Sequence, residues 1–154
     1  MSQKTRLDYL RHGEPVGGSK YRGFGVDDPL SEKGWSQMRT TAAEIEGWTG
    51  VVSSPLSRCR EFADWLANER GLPMVVHDDL KEVGFGTWEG ATRDELMAER
   101  ADEYQAFYRD PVNNRPQGAE GLDAFGNRVK GVYERLLADH PGEHLLVVAH
   151  AGVI

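Results

Sequence analysis

Arg11, His12 and Gly13 stand together at the end of the alternating stretch "TRLDYL", joining a guanidinium to an imidazole with nothing bulky beside them. Three further residues suit the same chemistry: Arg58 in "SSPLSRC", Glu82 in "LKEVGFGTWEG" and His150 in "VVAHAG". Two guanidiniums grip a phosphoryl group through paired hydrogen bonds, and a helix N-terminus beside Arg58 would add amide dipoles of the right sign. A neutral imidazole attacks phosphorus in line, splitting one hard displacement into two through a phosphohistidine. Glu82 suits protonation of a leaving alkoxide and then activation of water. His150 suits donation to the equatorial oxygens, and Gly13 leaves the approach to phosphorus unobstructed. Singly, each is an ordinary residue, an arginine at a helix end being usually solvated. It is the agreement of four signals at four segment ends that supports phosphoryl transfer.

A scaffold must deliver these residues, and the periodicities of the chain describe one. "TRLDYL" reads as a strand that stops at His12-Gly13. Trp35, Met38, Ala42 and Ile45 recur at helical spacing between Ser31 and Glu46, and "GVVSS" is a short buried strand. The next helix takes Pro55 at its first position after a serine cap, buries Cys59, Phe62 and Leu66 on one face, and ends at Gly71 and Pro73. "MVVHDDL" is a third strand. Thr92 and Glu95 have capping-box spacing for a helix reaching Arg109. After the loop "DPVNNRPQGAEG", Leu122, Phe125, Val129, Val132 or Tyr133, and Leu136 mark a helix weakened by Gly126 and Gly131. "EHLLVVAH" is an apolar strand of the kind buried on both faces of a parallel sheet.

Strands alternating with helices predict one domain over 1–154, a three-layer α/β/α sandwich with a mostly parallel central sheet. Ligand sites in such sheets gather at the carboxyl ends of strands, so Arg11, His12, Arg58, Glu82 and His150 are expected at one end. Only "AGVI" follows the last strand, where a further helix is usual, and the C-terminal part of the domain is expected to be missing.

The composition, 39% hydrophobic and 28% charged over 154 residues, is that of a globular domain. A net charge of -7 argues against nonspecific nucleic-acid binding, which needs a basic face. The charge is uneven: Lys4, Arg6, Arg11, Lys20 and Arg22 outweigh Asp8 and Glu14, while residues 78–110 are strongly acidic. No apolar run is long enough to span a bilayer and the N-terminus lacks a signal core, while the single Cys59 fits a reducing compartment; the cytoplasm is expected.

Other readings fit poorly. "GGSK" does not match the phosphate-loop order. The residues after Cys59 do not close a tight loop on an arginine. His140 and His144 are separated by Pro141-Gly142, so they are not a helical metal-ligand pair. Trp35, Trp48, Trp65 and Trp88 read as packing. Lys20 and Arg22 are candidates for holding a second anionic group.

"LRHGEP", "SSPLSRCREFA", "LKEVGFGTWEG" and "VVAHAG", in that order, resemble the motifs of the histidine phosphatase superfamily, the phosphoglycerate mutase-like proteins, across essentially the whole chain. The resemblance implies that His12 is the phosphorylated nucleophile, that Arg11, Arg58 and His150 form the phosphate pocket, and that Glu82 is the proton donor. It implies no metal and no organic cofactor. Ala151 stands where Gly commonly follows the second histidine, and its backbone amide is expected to face the phosphate; Phe62 stands where the family often has Thr. Arg22 joins the substrate-binding set. The insertion 89–121, with Tyr104, Phe107 and Tyr108, is expected to roof the pocket.

Within the superfamily, "EPVGGSKYRG", "DDPLSEKGWSQM" and "FGTWEG" are similar to bacterial α-ribazole phosphatases, which act on a precursor of cobalamin. Pro15-Val16-Gly17 replace the Ser or Thr and then Asn usual in mutases. The expected function is a phosphomonoester hydrolase acting through a phosphohistidine on a small phosphorylated metabolite. The alternatives are a phosphoglycerate mutase and a catalytically silent phosphate-binding module. The expected partner is the small substrate, with no nucleic acid and no membrane, and a homodimer is left open.

Overall fold

The apolar run at the end of the chain forms β4 (His144–Ala149), which lies between β1 (Arg6–Arg11) and β2 (Gly50–Ser53); β3 (Met74–Val76) closes the far edge. The order is β1-β4-β2-β3 and every pair is parallel. These elements come from a computed structural model that describes residues 3–154. A strand apolar at every position belongs at the centre of such a sheet, because both of its faces meet partners. Leu146 and Val148 join Val51 in one core, while Leu145, Val147 and Ala149 join Val52 in the other.

Helices α1 (Glu32–Ala43) and α2 (Ser57–Arg70) cover the first face through Met38, Ala42, Phe62 and Leu66. The second face is covered by α5 (Leu122–Asp139) through Val132 and Leu136, completing the three-layer α/β/α sandwich. Gly126 and Gly131 lie on the exposed side of α5, so the buried stripe holds the helix despite them. Among the described residues, no helix is long and apolar enough to cross a membrane.

Three local expectations need correction. The helix drawn to Arg109 breaks at Arg100 (φ -140°, ψ 45°) into α3 (Arg93–Glu99) and α4 (Ala101–Arg109), and the break lets Leu96 and Phe107 both pack on Trp88. The Thr92–Glu95 capping box is present. "MVVHDDL" pairs only through Met74–Val76, and Asp78–Leu80 makes a single 3-10 turn instead.

Finally, α2 is not capped by a serine, with Pro55 inside it. Its N-cap is Leu56, and the carboxylate of Asp27 receives the backbone N–H of Ser57 at 2.6 Å and its hydroxyl at 3.0 Å. A carboxylate from a distant loop thus takes the favourable place at the positive end of the helix, and the dipole expected to face phosphate is engaged by Asp27.

Candidate active site

The sheet register lines up three residues at its carboxyl edge. Arg11 pairs with Ala149 and Ser53 with Val148, so the residues that follow, His12, His150 and Ser54, stand in a row. The backbone N–H of His12 donates to the Ala149 carbonyl at 3.1 Å and that of Ser54 to the Val148 carbonyl at 3.0 Å. The two imidazoles meet edge to face, with centroids 5.2 Å apart and planes inclined by 63°.

His12 Nδ1 lies 2.7 Å from the Gly13 carbonyl, which can only accept, so Nδ1 carries the proton and Nε2 keeps its lone pair. Burial lowers the proton affinity of His12 from its ordinary 6.5 to about 4, and the positive charges of Arg58, Arg11 and Arg22 add to this despite the opposing Gly13 bond. The ring is therefore neutral near pH 7.

Gly13 serves a purpose different from an open approach to phosphorus. A Cβ there would stand 2.7 Å from Gly34 Cα, inside the first turns of α1, and one on Gly34 would stand 2.9 Å from the Glu14 nitrogen. Two glycines let the loop after β1 cross the helix in backbone contact. Ser31 then fastens it, donating its N–H and hydroxyl to the Glu14 carbonyl at 3.0 and 2.8 Å, while Gln37 Oε1 accepts the Glu14 N–H at 3.0 Å.

Arg11, His12, Arg22, Arg58 and Glu82 line one cavity of about 370 Å³, with Lys20 on its rim and Pro15, Tyr21 and Phe85 as less polar wall. Four cations against Glu14 and Glu82 give this concavity a positive balance inside an acidic protein. Arg58 is buried, and its Nη1 and Nη2 donate to the carbonyls of Val26 and Gly23 at 3.1 and 2.9 Å. Its Nε is a buried donor without a protein partner. Such a donor beside a positive cavity is suited to an anion. Arg22, in contrast, is committed: Nε pairs with Asp28 at 2.9 Å and Nη2 donates to the Val16 carbonyl at 3.0 Å.

The remaining expected residues divide. Glu82 accepts from its neighbour's amide, Val83 N–H, at 2.9 Å and from the Gly152 N–H at 3.2 Å. His150 is fully buried behind the cavity wall and touches His12 from there. Ala151 is exposed and does not line the cavity; the amide directed at the site is that of Gly152, one residue on.

No residue of 89–121 lines the cavity either. That segment stands behind the wall, where Trp88, Leu96 and Phe107 pack against Tyr21 and Phe85, and Tyr108 meets the Tyr21 hydroxyl. Sequence reasoning missed Ser54, whose hydroxyl lies 2.7 Å from His150 Nε2; its only local sign was a second serine at a strand end. Among the described residues, no group of three or more His, Cys, Asp or Glu side chains converges as a metal site.

Comparison with known proteins supports the same grouping. A bifunctional protein of Mycobacterium tuberculosis is 37% identical over 95% of this chain, which spans only 41% of that relative's length. The adenosylcobalamin/alpha-ribazole phosphatase of Salmonella typhimurium is 35% identical, and the match covers 97% of this chain and 75% of the relative. The crystal structure of the alpha-ribazole phosphatase from Shigella flexneri superposes with a TM-score of 0.80 at 32% identity, over 96% of this chain and 75% of that one. The profile of the histidine phosphatase superfamily (branch 1) matches residues 8–154, from within β1 through the row of His12, Ser54 and His150, and the chain belongs to that superfamily.

Proposed function

We propose that the protein hydrolyses phosphomonoesters without a metal, through a phosphohistidine on His12. The observation that supports this most directly is the state of His12: neutral, protonated at Nδ1 by its bond to the Gly13 carbonyl, and set in a positive cavity with Arg58 Nε unpaired nearby. In this reading Nε2 attacks phosphorus in line, the ester P–O bond breaks, and Glu82 gives its proton to the departing alkoxide. Water then attacks the phosphohistidine, Glu82 takes up a proton, and inorganic phosphate leaves with His12 neutral again. Arg11 and Arg58 hold the phosphoryl oxygens, and His150 supports His12 from behind while facing the developing charge. The work is placed in the cytoplasm on the strength of the lone, buried, reduced Cys59.

The substrate is a small phosphorylated metabolite, and the similarity to alpha-ribazole phosphatases makes α-ribazole 5'-phosphate the first compound to try. Phosphate release from α-ribazole phosphate, 3-phosphoglycerate and simple aryl phosphates, measured in chelator, tests the reading. Chelator-resistant turnover that His12→Ala abolishes is expected. Full turnover by His12→Ala would refute the nucleophile. Isomerisation of 3-phosphoglycerate faster than phosphate release would make the protein a mutase, and phosphate binding without turnover would make it a silent module.

A further inference from the structure

Glu82 sits in a segment that belongs to no strand or helix, lying between the 3-10 turns Asp78–Leu80 and Gly86–Trp88. Sheet hydrogen bonds therefore do not determine where its carboxyl group stands. One side chain takes over that task. Arg128, on α5, donates Nη1 to the carbonyls of Asp79 at 2.6 Å and Lys81 at 2.8 Å, and Nη2 to the carbonyl of Glu82 itself at 3.0 Å.

The other edge of the guanidinium is held by Glu120, with Nε to Oε2 and Nη2 to Oε1 both at 2.8 Å. Glu120 Oε1 also accepts the Gly84 N–H at 3.2 Å, so the pair grips the backbone on both sides of Glu82. Arg128 lies over the Phe125 ring at 4.8 Å. That ring is 3.4 Å from where a Cβ on Gly152 would sit, and the Gly152 N–H is the one that donates to Glu82. The clamp thus borders both the backbone of the acid and the partner of its carboxylate.

The fork geometry explains why an arginine is used. A guanidinium presents five donors in one plane and can serve three carbonyls and a carboxylate together, which the point charge of a lysine cannot. Both members of the pair are largely withdrawn from solvent, with side-chain exposures of 13% and 17%, and neither lines the cavity.

We propose that Arg128, held by Glu120, is a positioning residue that fixes the Glu82 carboxyl for proton transfer. The proposal rests on the reading of Glu82 as the proton donor. Its distinctive consequence is selectivity by leaving group. An alkyl phosphate needs its alkoxide protonated, whereas 4-nitrophenyl phosphate releases a stable phenolate unaided.

The experiment compares kcat/KM for these two substrates in the wild type, Glu82→Gln, Arg128→Met, Arg128→Lys, Glu120→Gln and the Glu82→Gln/Arg128→Met double variant, with thermal midpoints alongside. Glu82→Gln is expected to lose roughly 100-fold or more on the alkyl ester and far less on the aryl ester. Arg128→Met and Arg128→Lys are expected to lose about 10-fold or more on the alkyl ester and under about threefold on the aryl ester. In the Glu82→Gln background Arg128→Met should add almost nothing.

Equal losses on both substrates, or additive losses in the double variant, would overturn the proposal and leave Arg128 a structural residue. If Arg128→Met does not fold, Glu120→Gln keeps the volume, releases one edge of the clamp and decides by the same selectivity. An unselective Glu82→Gln would remove the proton-donor reading and the proposal with it. A selective Glu82→Gln beside unselective clamp variants overturns the proposal alone.

Discussion

Ser54 and His150, both without exposed surface, share a hydrogen bond of 2.7 Å between Oγ and Nε2. Ser54 Oγ already accepts the Leu56 N–H at 3.3 Å, which leaves its own proton for the imidazole. Burial, reinforced by Arg58 and His12, lowers the proton affinity of His150 from 6.5 to about 2, so the ring is neutral and its single proton sits on Nδ1. Ser54→Ala frees that choice of tautomer and strands the Leu56 amide. The expected outcome is a stability loss of about 1–3 kcal/mol and a lower kcat with little change in KM. Chemical denaturation and steady-state kinetics measure both, and a wild-type kcat would show that the orientation of His150 is set elsewhere.

His12 and His150 together predict how stability depends on pH. Their folded-state affinities, about 4 and about 2, lie below the ordinary 6.5, so under acidic conditions the unfolded chain binds more protons than the folded one. Stability therefore falls as pH decreases: both histidines contribute from 6.5 down to about 4, and His150 alone below that. The thermal midpoint should drop between pH 7 and pH 4.5, with a shallower slope in His12→Gln. The ring resonances of His12, followed by nuclear magnetic resonance, should titrate near 4; a midpoint at 6.5 would show that the ring is solvated.

Gly13→Ala tests the crossing of the first loop over α1. The added methyl meets the backbone of Gly34, which cannot swing aside as a side chain does, because the Gly34 N–H is tied to the Ser31 hydroxyl at 3.1 Å. A loss of roughly 2–3 kcal/mol is expected, with a similar loss for Gly34→Ala. Wild-type unfolding midpoints for both variants would mean that the loop is free to lift away.

Much of the fold was legible because its signals are local. The alternation of "TRLDYL", the apolar run "HLLVVA" and the Thr92–Glu95 box each specify an element within a few residues, and all three elements formed. His12, Arg58 and Glu82 were legible for the same reason: each follows a strand candidate closely, and parallel strands bring such positions to one edge. The break at Arg100 was not, since a helical period continues through it and only packing on Trp88 decides between one helix and two.

Strand order had no local sign. The last strand enters between the first two, and that insertion sets His150 beside His12 and Ser54. The residues that hold the site in shape were hidden likewise, because their roles consist of long-range hydrogen bonds. Ser54 reaches His150 across 96 positions, Asp27 reaches Ser57 across 30, and Arg128 reaches the Glu82 carbonyl across 46. Residue type and neighbourhood announce what a side chain can do chemically, but a hydrogen bond is satisfied by geometry alone, and only the folded chain brings those partners within 3 Å of one another.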